Sequence, residues 1–201
     1  MSPSWQDTAV ILAAHGERRP DATNRSLLAH VGALEAMADF AGVWAGVLTG
    51  EPTIEKAVAG AEASGASEVL VYPFFMSDGT IVRELLPRRI ASCRPRIPPV
   101  FLPPLGLEPR LIALLSDQAI ASARSAGFRP SRTRLLVVGH GSRLGGASAF
   151  VTRRAAGLLE ATQVFASVDV AFIEEPPLLA NQLAIDRDPV VVLGFFSGEG
   201  M

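Results

Sequence analysis

The stretch Leu135 to Arg143 reads LLVVGHGSR. Leu135, Leu136, Val137 and Val138 make an unbroken apolar run, the pattern of a strand buried on both faces, and Gly139, His140, Gly141 and Ser142 follow where such a strand ends. In an open parallel sheet ligands bind beyond the carboxyl ends of the strands, so a histidine delivered there between glycines is placed for chemistry. A related phrase stands earlier, VILAAHGERR from Val10 to Arg19. The chain presents the same histidine twice.

Around these phrases apolar strand patterns alternate with helical ones. In the first half, strands are predicted at Val10 to Ala14, Val43 to Leu48, Val69 to Phe75 and Val100 to Leu102. Helices are predicted near Ala22 to Phe40, from Pro52, from Ile81 towards Ser92 with an interruption near Pro87, and near Glu108 to Ser125. The pattern then restarts. Strands at Leu135, at Ser167 to Ile173 and at Val190 to Phe196 enclose helices near Ala147 to Ala161 and from Pro176 or Pro177. This alternation predicts an α/β fold of parallel sheets built from right-handed βαβ units.

Three matches point to an internal duplication. His15 pairs with His140 at a separation of 125, Glu51 and Pro52 pair with Glu175 and Pro176 at 124, and Phe74 and Phe75 pair with Phe195 and Phe196 at 121. The expectation is two similar doubly wound halves, 1–127 and 134–201, joined by a polar, arginine-rich linker at 128–133 and facing a central cleft. The second copy lacks the helix that should follow its last strand, so the natural chain is expected to continue past Met201.

Composition narrows the function. The 201 residues are 49% hydrophobic and 19% charged, a globular balance, and no run approaches the ~20 apolar residues of a membrane span. A formal charge of -2 from 18 basic and 20 acidic groups leaves no basic footprint for nucleic acid. Cys93 is the only cysteine, which excludes an internal disulfide and any multi-cysteine metal site. With no signal-like N-terminus, a cytoplasmic protein is expected.

His140 either satisfies a backbone carbonyl or serves as ligand or base, and its glycine neighbours favour the second role. Glu174 follows the apolar run ending at Ile173 and should emerge at the same sheet edge, whereas strand alternation turns Glu175 the other way. Imidazole plus carboxylate suits a divalent first-row metal ion and also proton abstraction. His15 has poorer support, because Leu48 stands where the repeat places a carboxylate; its role is structural, substrate-lining or metal-binding. His30, inside the first helix, reads as a surface or packing residue. Arg18, Arg19, Arg83 and Arg143 follow glycine-rich turns and can meet carboxylates by paired hydrogen bonds. Ser142 can offer a hydroxyl and cap the next helix.

These residues resemble the class II tetrapyrrole chelatases, the sirohydrochlorin cobaltochelatases and ferrochelatases. The likeness runs through AHGERRPDATNRSL at Ala14 to Leu27, YPFFMSDG at Tyr72 to Gly79, GHGSR at Gly139 to Arg143, FIEEPPLL at Phe172 to Leu179 and GFFSGEGM at Gly194 to Met201. The resemblance implies insertion of Co²⁺ or Fe²⁺, as substrate and without an organic cofactor, into sirohydrochlorin or a related tetrapyrrole, in cobalamin or siroheme biosynthesis. It matches His140 and Glu174 to the family's metal-binding, proton-taking histidine and glutamate. Arg143, Ser142, Arg18 and Arg83 would line the macrocycle's site. The family's second histidine falls at Ile81 in the first half and just beyond Met201 in the second, so the first half looks degenerate. Some duplicated relatives use their first half, which keeps His15 in play as a metal ligand.

Two other readings compete. A metal or tetrapyrrole carrier with a decayed catalytic half would bind without accelerating metallation. The His15-Gly16-Glu17 phrase also resembles part of the histidine-phosphatase signature, but Ala14 occupies the place of its phosphate-binding arginine. Self-association into a homo-oligomer is left open by the sequence.

Overall fold

In the computed structural model the described residues are 5–17, 23–142, 146–185 and 189–198. The chain divides into two compact units between Leu105 and Gly106, the second ending at Phe196. The first contains β1 (Trp5–Ala14), α1 (Arg25–Ala36), β2 (Phe40–Val47), α2 (Ile54–Ala63), β3 (Glu68–Pro73), a π turn (Ile81–Leu85), α3 (Leu86–Ser92) and β4 (Val100–Phe101). Its sheet is wholly parallel in the order β2-β1-β3-β4. The second contains α4 (Pro109–Ser125), a 3₁₀ turn (Pro130–Arg132), β5 (Arg134–Gly139), α5 (Ala147–Glu160), β6 (Ser167–Phe172), α6 (Leu179–Ile185) and β7 (Val190–Gly194). Its parallel sheet has the order β6-β5-β7, the same arrangement as β2-β1-β3.

Strand alternation explains why the central strands are apolar throughout. Ala9, Ile11 and Ala13 of β1 face Ile54, Ala57, Val58 and Ala61 of α2 and Leu86 and Ile90 of α3. Val10 and Leu12 face Leu27 and Val31 of α1 on the other side. In β5, Leu136 and Val138 pack with Ala171 and Leu179. Gly139, on the opposite face, abuts Thr152 of α5 so closely that an added Cβ would sit 2.2 Å from its hydroxyl oxygen. Both central strands are therefore clad on two sides, as a parallel strand requires.

The predicted elements are present with shifted ends. Pro52 lies before α2, not in its first turn; Thr53 is the cap, its hydroxyl accepting the Lys56 N–H at 3.3 Å. The interruption at Pro87 takes the form of the π turn, which runs straight into α3 with Pro87 in its first turn, so the wider turn lies where the proline removes a backbone donor. α4, the last helix of the first sequence half, packs on α5 and β7 of the second unit, with Leu115, Ala119 and Ala123 buried on it. The 128–133 segment accordingly runs within that unit.

The backbone repeats, and it corrects one register. Val47 N–H donates to the Pro52 carbonyl at 2.8 Å and Phe172 N–H to that of Pro177 at 2.9 Å. Pro52 thus corresponds to Pro177 at the same separation of 125 as the two histidines, where the sequence match pairs it with Pro176. Two adjacent prolines allow either alignment, and the hydrogen bonds choose.

The fully buried Leu136 and the 65% exposed Leu114 provide a test of this packing within one unit. Leu136→Ala is expected to cost roughly 2–5 kcal/mol and Leu114→Ala less than about 0.5 kcal/mol, read from the urea midpoint of that unit's unfolding.

Candidate functional site

His140 stands immediately after β5, and Glu174 two residues after β6, the strand hydrogen-bonded to it. The turn that carries them is fixed by the backbone. The carbonyl of His140 accepts the N–H of Glu174 at 3.0 Å and that of Ile173 at 3.2 Å, and the Gly139 carbonyl shares the latter at 3.2 Å. As a result Nδ1 of His140 lies 3.8 Å from Oε2 of Glu174, with the two side chains 40% and 42% exposed. The groups are too far apart for a strong hydrogen bond and near enough to share an ion: two metal bonds of about 2.0–2.2 Å span up to about 4.4 Å.

Gly141 makes this turn possible. Its φ is +75°, and a Cβ there would come within 2.9 Å of Cγ of Glu175 and 3.1 Å of Cβ of Phe172. Glu175 therefore lies against the histidine turn, contrary to the alternation expected from sequence. The reason is that β6 ends at Phe172, and residues 173–175 follow bends to which the period of two does not apply. Oε1 of Glu175 is buried without a hydrogen-bond partner.

The first unit repeats the scaffold with different side chains. The His15 carbonyl accepts the Thr49 N–H at 3.0 Å, so Thr49, not Leu48, is the counterpart of Glu174. Gly16 matches Gly141, with φ +89° and no room for a Cβ against the Thr49 carbonyl. Among the described residues, His15 is paired with no carboxylate as His140 is with Glu174. Its turn is braced instead by Asn24, buried in the left-handed region, whose Oδ1 accepts the Glu17 N–H at 3.0 Å and whose amide donates to the Glu51 carbonyl at 2.7 Å. Asn24 is not singled out by the sequence, and at the equivalent separation the second unit has Ala149.

The other candidates are distributed as follows. Arg83 lies in the π turn with Nε donating to Asp78 Oδ2 at 2.9 Å, and Ile81 opens that turn. Ser142 is half-buried beside Gly141. Arg18, Arg19 and Arg143 lie outside the described residues, as does Met201. His30 is exposed on α1, its ring 4.9 Å from that of Phe74, in keeping with a packing role. Cys93 packs against the first unit's core, and burial, with Glu55 nearby, pushes its thiol above the usual range, so it is a poor thiolate ligand. Arg153, not foreseen, places its guanidinium 5.0 Å over the Phe172 ring. Among the described residues no three or more His, Cys, Asp or Glu side chains converge on a common metal position, and no helix is long and apolar enough to cross a membrane.

If the carboxylate is what separates the two turns, it can be transplanted. Thr49 is exposed and has room for a longer side chain. In a His140→Ala background, Thr49→Glu is expected to restore weak Co²⁺ binding in a calorimetric titration, while Thr49→Gln restores none.

Comparison with known proteins agrees with this architecture. A family model described as CbiX matches residues 9–122, more than half of the chain. A sirohydrochlorin cobaltochelatase from Methanopyrus kandleri is 32% identical over 135 residues, which are 55% of this chain and 93% of the relative. Among solved structures, a CbiX described as the terminal enzyme of siroheme biosynthesis in denitrifying bacteria superposes with a TM-score of 0.75 at 28% identity, over 96% of this chain and 80% of that one. SirB from Bacillus subtilis, solved with Fe³⁺, gives a TM-score of 0.80 at 18% identity over 96% and 78%, a likeness of fold. The chain belongs to the CbiX family.

Proposed function

We propose that this chain is a chelatase, a lyase that inserts Co²⁺ or Fe²⁺ into sirohydrochlorin or a related tetrapyrrole in cobalamin or siroheme biosynthesis. The observation that carries the reading is the His140–Glu174 pair, 3.8 Å apart at neighbouring strand ends in a chain of this family. The metal is a substrate, and no organic cofactor is needed, because the reaction is an exchange of ions. One divalent cation enters the macrocycle and two pyrrole N–H protons leave it.

His140 and Glu174 supply both halves of that exchange. Together they offer one neutral nitrogen and one anionic oxygen to the incoming cation. Once the cation has moved to the macrocycle, the imidazole accepts a proton and the carboxylate beside it stabilises the resulting cation. Side chains two-fifths exposed allow the ion and the protons to pass to and from water. Arg143, Arg18 and Ser142 are assigned to the macrocycle, the arginines to its carboxylates, and Arg83 joins them by exchanging Asp78 for a substrate carboxylate. His15 lines the substrate without a carboxylate of its own. We further take the two sequence halves, 1–127 and 134–201, as copies of one ancestral unit with 128–133 between them, and the cytoplasm as the compartment, in keeping with a lone thiol.

The test is anaerobic metallation of sirohydrochlorin followed by visible absorbance. The protein should exceed the uncatalysed rate with Co²⁺ or Fe²⁺. His140→Ala and Glu174→Gln should each slow it by about 10²-fold or more, and His15→Ala by much less. A spectral shift on binding with no acceleration would instead mark a carrier, and a His140→Ala variant at full rate would refute the site.

A further inference from the structure

We infer that Asn24 is a positioning residue that orients the His15 ring through the Gly16–Glu17 peptide, and this deepens the proposed chelatase reading, in which His15 lines the substrate. Asn24 stands at the cap of α1 without capping it. Its carbonyl accepts the Leu28 N–H at 3.0 Å, as a cap residue's should. Asparagine is favoured there because its side chain ordinarily satisfies a free N–H of the first helical turn. Here the side chain makes no bond of that kind. Its backbone is left-handed, φ 49° and ψ 36°, where a cap is usually extended, and the amide serves other partners.

Those partners are two turns at one edge of the sheet. Oδ1 accepts the Glu17 N–H at 3.0 Å and Nδ2 donates to the Glu51 carbonyl at 2.7 Å, with only 5% of Asn24 exposed. Glu17 lies in the turn after β1 and Glu51 in the turn after β2, so one amide ties together the carboxyl ends of two paired strands. Burial shields both bonds from competing water.

The tie reaches His15 through a single planar group. Glu17 N–H and Gly16 C=O belong to the same peptide, so holding one fixes the direction of the other. Nδ1 of His15 lies 3.3 Å from that Gly16 carbonyl, a long hydrogen bond. A carbonyl only accepts, so the contact places the proton of the neutral ring on Nδ1 and leaves Nε2 as the acceptor nitrogen. The rest of the turn is already confined. The His15 carbonyl takes the Thr49 N–H at 3.0 Å, and Gly16, at φ +89°, lies against the Thr49 carbonyl. The His140 ring makes the same contact with Gly141 at 3.4 Å but has Glu174 beside it, and Ala149 stands at the place of Asn24. In the first unit the amide does the orienting that the second shares with a carboxylate.

The experiment compares the full chain as wild type, Asn24→Gly, His15→Ala and the double variant. Glycine adopts the left-handed backbone without strain, so Asn24→Gly removes the two bonds and spares the turn. Ring-nitrogen NMR without ligand reads the His15 tautomer, and anaerobic metallation of sirohydrochlorin with Co²⁺ gives kcat and KM. The wild-type ring is expected to carry its proton on Nδ1, and the Asn24→Gly ring to become a mixture with the Nε2–H form. KM for sirohydrochlorin should rise about tenfold in Asn24→Gly with kcat retained, and Asn24→Gly should add nothing in the His15→Ala background. An unchanged tautomer or an unchanged KM in Asn24→Gly overturns the inference. So does an equal rise in KM with and without His15, which places the effect elsewhere, or a parallel fall of kcat and Tm, which marks a purely structural role. If the wild type does not accelerate metallation, the chelatase reading fails by itself, and the ring spectrum with the sirohydrochlorin Kd of the four proteins decides the role of Asn24 by the same criteria.

Discussion

The hydrogen bond from the Glu174 N–H to the His140 carbonyl, 3.0 Å long, is the constraint on which the site depends. It joins the residue that ends the central strand's excursion to the residue that follows the edge strand, so the imidazole and the carboxylate are set by the backbone rather than by their own flexibility. A contact between two side chains in water would be held weakly and screened. Here the sheet register, Gly139 opposite Phe172, fixes where each side chain begins. The side chains need only choose rotamers. The doubly clad β5 supplies the rigidity, because side chains packed to interior density on both of its faces cannot shift by one residue without clashes and voids on each side.

The same hydrogen bond recurs between Thr49 and His15 at the same length, which separates scaffold from chemistry. The first unit keeps the positive-φ glycine, the strand-end histidine and the sheet order, yet carries a hydroxyl where the second carries a carboxylate. The family model matches residues 9–122, the segment holding the threonine. A sequence match therefore follows the scaffold, and reactivity follows the substitutions on it. Fold alone does not locate chemistry, since a site is a set of side chains grafted on a fold.

Most of the fold was legible in the sequence. Short apolar runs ending in glycine, alternating with helical periodicity, are a strong signal, and Val10 to Ala14 and Leu135 to Val138 both read as buried strands and are so. The nearness of His140 and Glu174 was legible because both follow strands at the carboxyl edge of a parallel sheet. What was not legible depended on turns. The face expected for Glu175 is wrong because alternation was extended three residues past the end of β6 at Phe172, into bends. The pairing of Leu48 with the carboxylate position fails on register: the separation of 125 puts Thr49 in the place of Glu174, and the separation of 124 that the paired prolines also permit would put Gly50 there. Asn24 shows a further limit: its two hydrogen bonds reach residues 7 and 27 positions away in sequence. No local pattern reports a contact of the second kind.

A site for a metal that is consumed obeys a different rule from a site for a metal that stays. A structural zinc is enclosed by four protein ligands and gains stability from that enclosure, whereas transfer requires open positions and donors that let go. In the proposed reading His140 and Glu174, two-fifths exposed and 3.8 Å apart, are suited to the second requirement. A tighter pair would satisfy itself and resist the ion; a looser one would present two separate weak ligands. The backbone bond between residues 140 and 174 supports this intermediate spacing, and under the proposed function that spacing is what balances capturing a cation from water against surrendering it to four pyrrole nitrogens.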